Sequence, residues 1–161
     1  MLDSNICVYI LRGKKGMREQ LQRVGWDNCC ISEMTVAELL YGAECSSEIE
    51  ENKKEVLSFC ADIEIIPVGV ALSEYAHQKA TLRKKGSLID DLDLLIGSTA
   101  VASDCIMVTE NVKHLKRIEN IQIENWITFN NSRRTENGPN EIHSTRQKTS
   151  PLRHDELRGY S

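Results

Sequence analysis

The stretch DDLDLLIGSTAVASDCIMVTEN, residues 90–111, decides the fold. Asp90 stands where a helix N-cap is favoured, and the residues after it read as a helix through about Ala102. Cys105–Thr109 then forms a continuous apolar run, the pattern of a strand buried on both faces. A helix delivering the chain into such a strand is half of a βαβ unit.

Reading outward, the same alternation recurs. Upstream, Ala71–Lys85 is predicted helical, with Leu72, Tyr75, Ala76, Lys79 and Leu82 on one stripe and Gly86 as its natural stop. Ile63–Val68 is β-rich and is halted by Pro67 and Gly69. Ser46 or Ser47 opens a helix to about Cys60. Ser32 caps another through Met34–Tyr41, entered from a short buried strand at Cys29–Ile31. Met17–Val24 and Ile6–Leu11 are helical around Gly13 and Gly16, and Met1–Asp3 ends a first strand. Downstream come a short helix over Val112–Ile118 and a last strand over Ile121–Ile127. Strands separated by helices in this order predict an α/β fold of three layers, α/β/α, around a central, mainly parallel sheet.

The 161 residues are 40% apolar, enough for one core over residues 1–130. From about Asn131 the chain is polar, with few apolar side chains to offset ordering, so 131–161 is expected to be a disordered tail. Net charge is −4, which excludes gripping nucleic acid by bulk charge and requires local patches or metal ions. The six cysteines form no C-x-x-C pair and read as free thiols of a reducing compartment. Asp3 interrupts any leader-like start, and no apolar run approaches a membrane span. A cytoplasmic protein without a membrane partner is the expectation.

The chemistry lies in scattered acids. Asp3 and Asn111 follow strands directly, so both belong at the carboxyl rim of the sheet, where open α/β folds bind ligands. Asp90 and Asp93 share one helix face, while Asp91 points elsewhere in that first turn. Glu38 projects from a helix whose opposite face is apolar. Each has an ordinary alternative: Asp90 and Asp91 as acids favoured by the helix dipole, Glu38 as a solvent-facing residue, Asp3 as a cap. Gathered together they would repel, and a hard divalent cation relieves that repulsion.

The segments MLDSNIC (1–7), ISEMTVAELLYGAE (31–44), LIDDLDLLIG (88–97), VTEN (108–111) and IENW (123–126) resemble PIN-domain ribonucleases, and among them the toxin half of VapBC toxin–antitoxin pairs. The resemblance spans about residues 1–127. It implies that Asp3, Glu38 and Asp93 are the catalytic, metal-binding acids, that Asp91 is an accessory ligand, and that Asn5, Thr109 and Asn111 support the site. It further implies Mg²⁺ or Mn²⁺ as cofactor, endonucleolytic cleavage of an RNA such as tRNA or another structured RNA, a VapB-like antitoxin and a homodimer. Two departures stand out: Asp90 occupies a position usually held by Gly, and Gly97 one usually held by Ala, at a helix-propensity cost of roughly 1 kcal/mol.

Basic candidates for RNA contact are Arg83, Lys84 and Lys85 first, then Lys14, Lys15 and Arg18, then Lys113, Lys116 and Arg117. Each also fits a solvated helix face. His77 and His114 lack zinc-ligand spacing. A phosphohydrolase with Asp3 as nucleophile would carry a second Asp where Asn5 stands. A non-catalytic module binding a structural ion remains the alternative to a nuclease.

Overall fold

The computed structural model describes residues 1–127; the tail expected at 131–161 lies outside the described residues. Helices α1 (Ser4–Leu11) and α2 (Met17–Val24) precede strand β1 (Cys30–Ser32), which runs into α3 (Glu33–Glu44). Next come α4 (Ile49–Ala61), β2 (Glu64–Ile66), α5 (Leu72–Lys84) and α6 (Asp91–Ala102). Strand β3 (Met107–Val108), the one-turn α7 (Val112–Leu115) and β4 (Ile123–Glu124) complete the described chain.

Strands β1 and β2 pair in parallel, as do β3 and β4. The Met1–Asp3 segment joins the two pairs. Leu2 N donates to Cys30 O at 2.8 Å, Val108 N to Met1 O at 2.8 Å, and Asp3 N to Val108 O at 3.0 Å. The spatial order is therefore β2, β1, Met1–Asp3, β3, β4. Order reverses between Met1–Asp3 and β3, and that is the crevice where doubly wound sheets bind ligands.

The two-residue period of the strands builds two cores. Leu2, Ile31 and Val108 turn to one face, against Ile6, Cys7 and Ile10 of α1, Leu39 of α3, and Val56 and Phe59 of α4. Met1, Cys30 and Met107 turn to the other, against Leu82 of α5 and Leu94, Ile96 and Ala100 of α6. Alternating neighbours thus serve opposite cores, which accounts for the apolar pair Met107–Val108, while Ile106 before it is exposed.

Three expected strands are shorter than their sequences imply, the run Cys105–Thr109 pairing only at Met107 and Val108. At the sheet edge, Glu64 and Ile65 are exposed, and Pro67 ends β2 in a 3-10 turn over Val68–Ala71. Within Ile121–Ile127 only Ile123 and Glu124 pair, because Asn125 Oδ1 accepts from Ile127 N and turns the chain. All six cysteines are free, but Cys45 is exposed and Cys60 and Cys105 are only half-buried.

Gly97 has a packing reason. A Cβ there would stand 2.3 Å from Ile118 Cδ1, 3.4 Å from Leu115 Cδ2 and 3.5 Å from Ile121 Cδ1. Close approach of α6 to the segment after β3 thus offsets its propensity cost. Gly97→Leu is expected to destabilise the fold by about 1–3 kcal/mol through overpacking. A urea midpoint equal to wild type would show that this contact has slack.

Candidate active site

Three elements end at the crevice. Asp3 caps α1, its Oδ1 accepting from Ser4 N at 2.9 Å. Ser32 caps α3 by accepting from Thr35 N at 3.0 Å, fixing the helix that carries Glu38. Asp90 caps α6, its Oδ1 accepting from Leu92 N at 2.9 Å, and so sets Asp93 in the first turn.

Asp3 is 4% exposed, so its charge needs donors. Its Oδ2 accepts from Asn5 Nδ2 at 2.6 Å and from the Thr109 hydroxyl. Burial still pushes its carboxyl above the usual range, against the lowering pull of Thr109, Ser4 and Asn5. Glu38 Oε2 accepts from the Ser4 hydroxyl. Its carboxyl is raised first by burial and then by the charges of Asp3, Asp93 and Asp90, with Ser4 opposing. Asp93 Oδ2 accepts from Asn111 Nδ2 at 2.9 Å. Burial raises Asp93, Asp3 and Asp90 add to the rise, and Asn111 and His114 oppose it. The charges of Asp3 and Asp93 thus reach Glu38, and that of Asp3 reaches Asp93.

Asn5 and Thr109 meet Asp3, and Asn111 meets both Asp93 and, through its backbone N, Thr109 Oγ1 at 2.8 Å. Asp91 does not join them. Its carboxylate pairs with Lys79 Nζ at 2.8 Å on exposed surface, and Lys79 holds it below the usual range. Asp90 is the acid of that turn whose charge reaches Glu38 and Asp93.

The basic candidates divide as well. Arg83 and Lys84 are exposed in the last turn of α5, while Lys85 Nζ binds Glu119 Oε1 at 2.7 Å in the connection entering β4. Arg18 is taken up by the end of α1, donating to the Ile10 and Leu11 carbonyls. Lys15 binds Glu110 at 2.9 Å. His114 Nδ1 lies 4.0 Å from Asp93 Oδ2, a proximity its sequence spacing did not signal. Ser4, bonded to Glu38 across 34 positions, was equally hidden, since a serine after a helix cap has no distinguishing pattern.

Among the described residues, no three His, Cys, Asp or Glu side chains are drawn together into a metal cage. Mg²⁺ seldom uses one: it keeps several waters and takes one or two carboxylates. The donor set, oxygen-only acids raised by burial, with neighbouring acids adding to the rise at Glu38 and Asp93, fits such a hard cation. A groove of about 100 Å³ beside Arg12 and Leu39 reaches Glu38, with neither Asp3 nor Asp93 on its wall.

The family model of the PIN domain matches residues 1–121. The chain belongs to the PIN-domain family. This PIN domain is similar to Ribonuclease VapC2 of Rickettsia felis, with 37% identity over 129 residues covering 78% of this chain and 96% of that protein. It is also similar to the tRNA(fMet)-specific endonuclease VapC of Salmonella typhimurium, with 31% identity over 127 residues, 78% of this chain and 96% of the relative. Among solved structures, VapBC2 from Rickettsia felis bound to a promoter DNA fragment matches with a TM-score of 0.71 and 34% identity, covering 78% of this chain and 97% of its counterpart. DNA-bound VapBC from Salmonella typhimurium gives a TM-score of 0.73 at 32% identity, over 78% and 96%. Among the described residues of this PIN domain, no helix is long and apolar enough to cross a membrane.

Proposed function

We propose that the chain is a toxin ribonuclease of the VapC kind: an endonuclease that hydrolyses RNA phosphodiester bonds, inhibits translation and is restrained by an antitoxin. The observation that carries this reading is the hydrogen-bonded linkage of Asp3, Glu38 and Asp93 through Ser4, Thr109 and Asn111, at the reversal of strand order in a PIN fold related to ribonucleases. Mg²⁺ or Mn²⁺ held by Asp3 and Asp93, with Glu38 alongside, would polarise a phosphate oxygen and supply hydroxide at neutral pH. Asp3 is fixed by three donors and so offers its oxygens in one orientation. Ser4 engages Glu38 Oε2. Glu38 Oε1, on a carboxyl raised by burial and neighbouring charge, suits taking a proton from the attacking water.

The kinship with VapBC complexes supports a VapB-like partner. The relative named for tRNA(fMet) supports tRNA, or another structured RNA, as substrate. Arg83 and Lys84 are offered for phosphate contacts, with Lys85 joining if it exchanges Glu119 for RNA. A homodimer belongs to the same reading.

The test uses the purified full chain and a labelled tRNA pool. EDTA is expected to stop cleavage and millimolar Mg²⁺ or Mn²⁺ to restore it. Cleavage indifferent to EDTA would remove the metal from this account. No cleavage under any metal would favour a non-catalytic module that binds a structural ion.

A further inference from the structure

Glu110 lies between two residues of the site, Thr109 and Asn111, yet the nuclease reading gives it no task. Its surroundings are elaborate for an exposed acid. Tyr9 Oη donates to Glu110 Oε2 at 2.6 Å. Lys15 Nζ donates to both carboxylate oxygens, at 2.9 and 3.2 Å, and also sits 4.0 Å from the centre of the Tyr9 ring. Lys15 reaches this place with φ of 56°, a left-handed conformation unfavourable for a side-chain-bearing residue. Such an outlier is held by its surroundings and tends to mark a functional position.

The same α1 face grips the Glu110 backbone. Asn5 and Tyr9 are one turn apart. Asn5 Oδ1 accepts from Glu110 N at 3.3 Å, while Asn5 Nδ2 donates to Asp3 Oδ2 at 2.6 Å. Two rungs thus tie the 109–111 turn to α1, one at its backbone and one at its side chain. That turn supplies the Thr109 hydroxyl to Asp3 and the Asn111 amide to Asp93.

We infer that Tyr9, Lys15 and Glu110 form a positioning latch that holds the 109–111 turn, and through it Asp3 and Asp93, in register for RNA cleavage. A lone exposed ion pair would contribute little. This one is bidentate, buttressed by a phenol and continued by a backbone rung, so the latch acts through geometry and not through net stability. It rests on the nuclease reading of the site.

The experiment compares Tyr9→Phe, Lys15→Met, Lys15→Arg and Glu110→Gln, each alone, and Lys15→Met in the Glu110→Gln background. Amide hydrogen exchange is followed in the metal-free protein and cleavage kinetics with Mg²⁺. The latch requires faster exchange at Glu110 and Asn111 in Tyr9→Phe and Lys15→Met. It also requires kcat to fall about tenfold with KM nearly unchanged, the signature of misplaced groups. Lys15→Arg should restore both readouts, and Lys15→Met should add nothing once Glu110 is neutral. A raised KM at unchanged kcat would make Lys15 an RNA ligand and overturn the latch. Unchanged exchange in every variant would overturn it too, even if wild type cleaves no RNA, a result that would instead strike the nuclease reading.

Discussion

Asp93→Asn is expected to lower RNA cleavage by about 10²–10³-fold, the scale of losing one charge-stabilising group at a reacting centre, while making the metal-free protein more stable. The two effects share a cause. Asp93 is raised by burial and by the charges of Asp3 and Asp90, so its folded pKa exceeds its unfolded one. Its contribution to stability is present below the unfolded pKa and is lost as pH rises through the folded value. At neutral pH the ionised carboxylate therefore opposes folding. Asparagine removes that cost and keeps an oxygen to accept from Asn111 Nδ2. A higher thermal midpoint is expected in EDTA at pH 7, and the gain should shrink as pH falls through the folded pKa and vanish below the unfolded one. Wild-type cleavage by purified Asp93→Asn would remove Asp93 from the catalytic set. A lowered midpoint would mean that Asp93 serves structure.

Much of this arrangement was legible because local signals and tertiary demands agree. Met17–Val24 and the Asp90-capped helix to Ala102 form as their periodicity and caps predict. Met107 and Val108 are buried on opposite faces as the apolar run before Thr109 predicts, while Ile106 of the same run is exposed and Cys105 only half-buried. What sequence could not supply were contacts made by one element on another. Asp90 and Asp91 are adjacent acids in one helical turn. Helical spacing already turns Asp91 away from Asp90 and Asp93, but it does not reveal that Lys79 on α5 pairs with Asp91 or that the charge of Asp90 reaches Glu38 and Asp93. Ser4 meets Glu38 across 34 residues, and Glu110 meets Tyr9 across 101. Arg18 looked like a phosphate ligand because charge alone does not reveal that the carbonyls ending α1 need a donor. The family resemblance named Asp3, Glu38 and Asp93. The fold explains how helix caps and a strand crossover bring them together.

Thr109→Val should damage fold and site together, since one hydroxyl links three segments. Thr109 is fully buried. Its Oγ1 donates to Asp3 Oδ2, accepts from Asn111 N at 2.8 Å and lies 3.4 Å from Asn5 Nδ2. Valine preserves the volume, so no cavity forms and the loss is polar alone. It leaves the Asn111 amide without its acceptor and strips a donor from a buried carboxylate, at a cost of about 1–3 kcal/mol for an unmet buried group. The hydroxyl lowers the Asp3 pKa, so valine should raise it further above the unfolded value. Ionised Asp3 then opposes folding more strongly, and the deficit should be largest at neutral pH and shrink as pH falls through the folded pKa. Cleavage should fall as well, because Asn111 and Asp3 lose their common anchor. Thr109→Ser, which keeps the hydroxyl, should recover most of both losses. Urea unfolding of the metal-free variants at pH 7 and pH 4, beside cleavage at saturating Mg²⁺, separates these effects. If valine equals wild type in both assays while serine is impaired, packing by the threonine methyl holds this junction and the hydroxyl network does not.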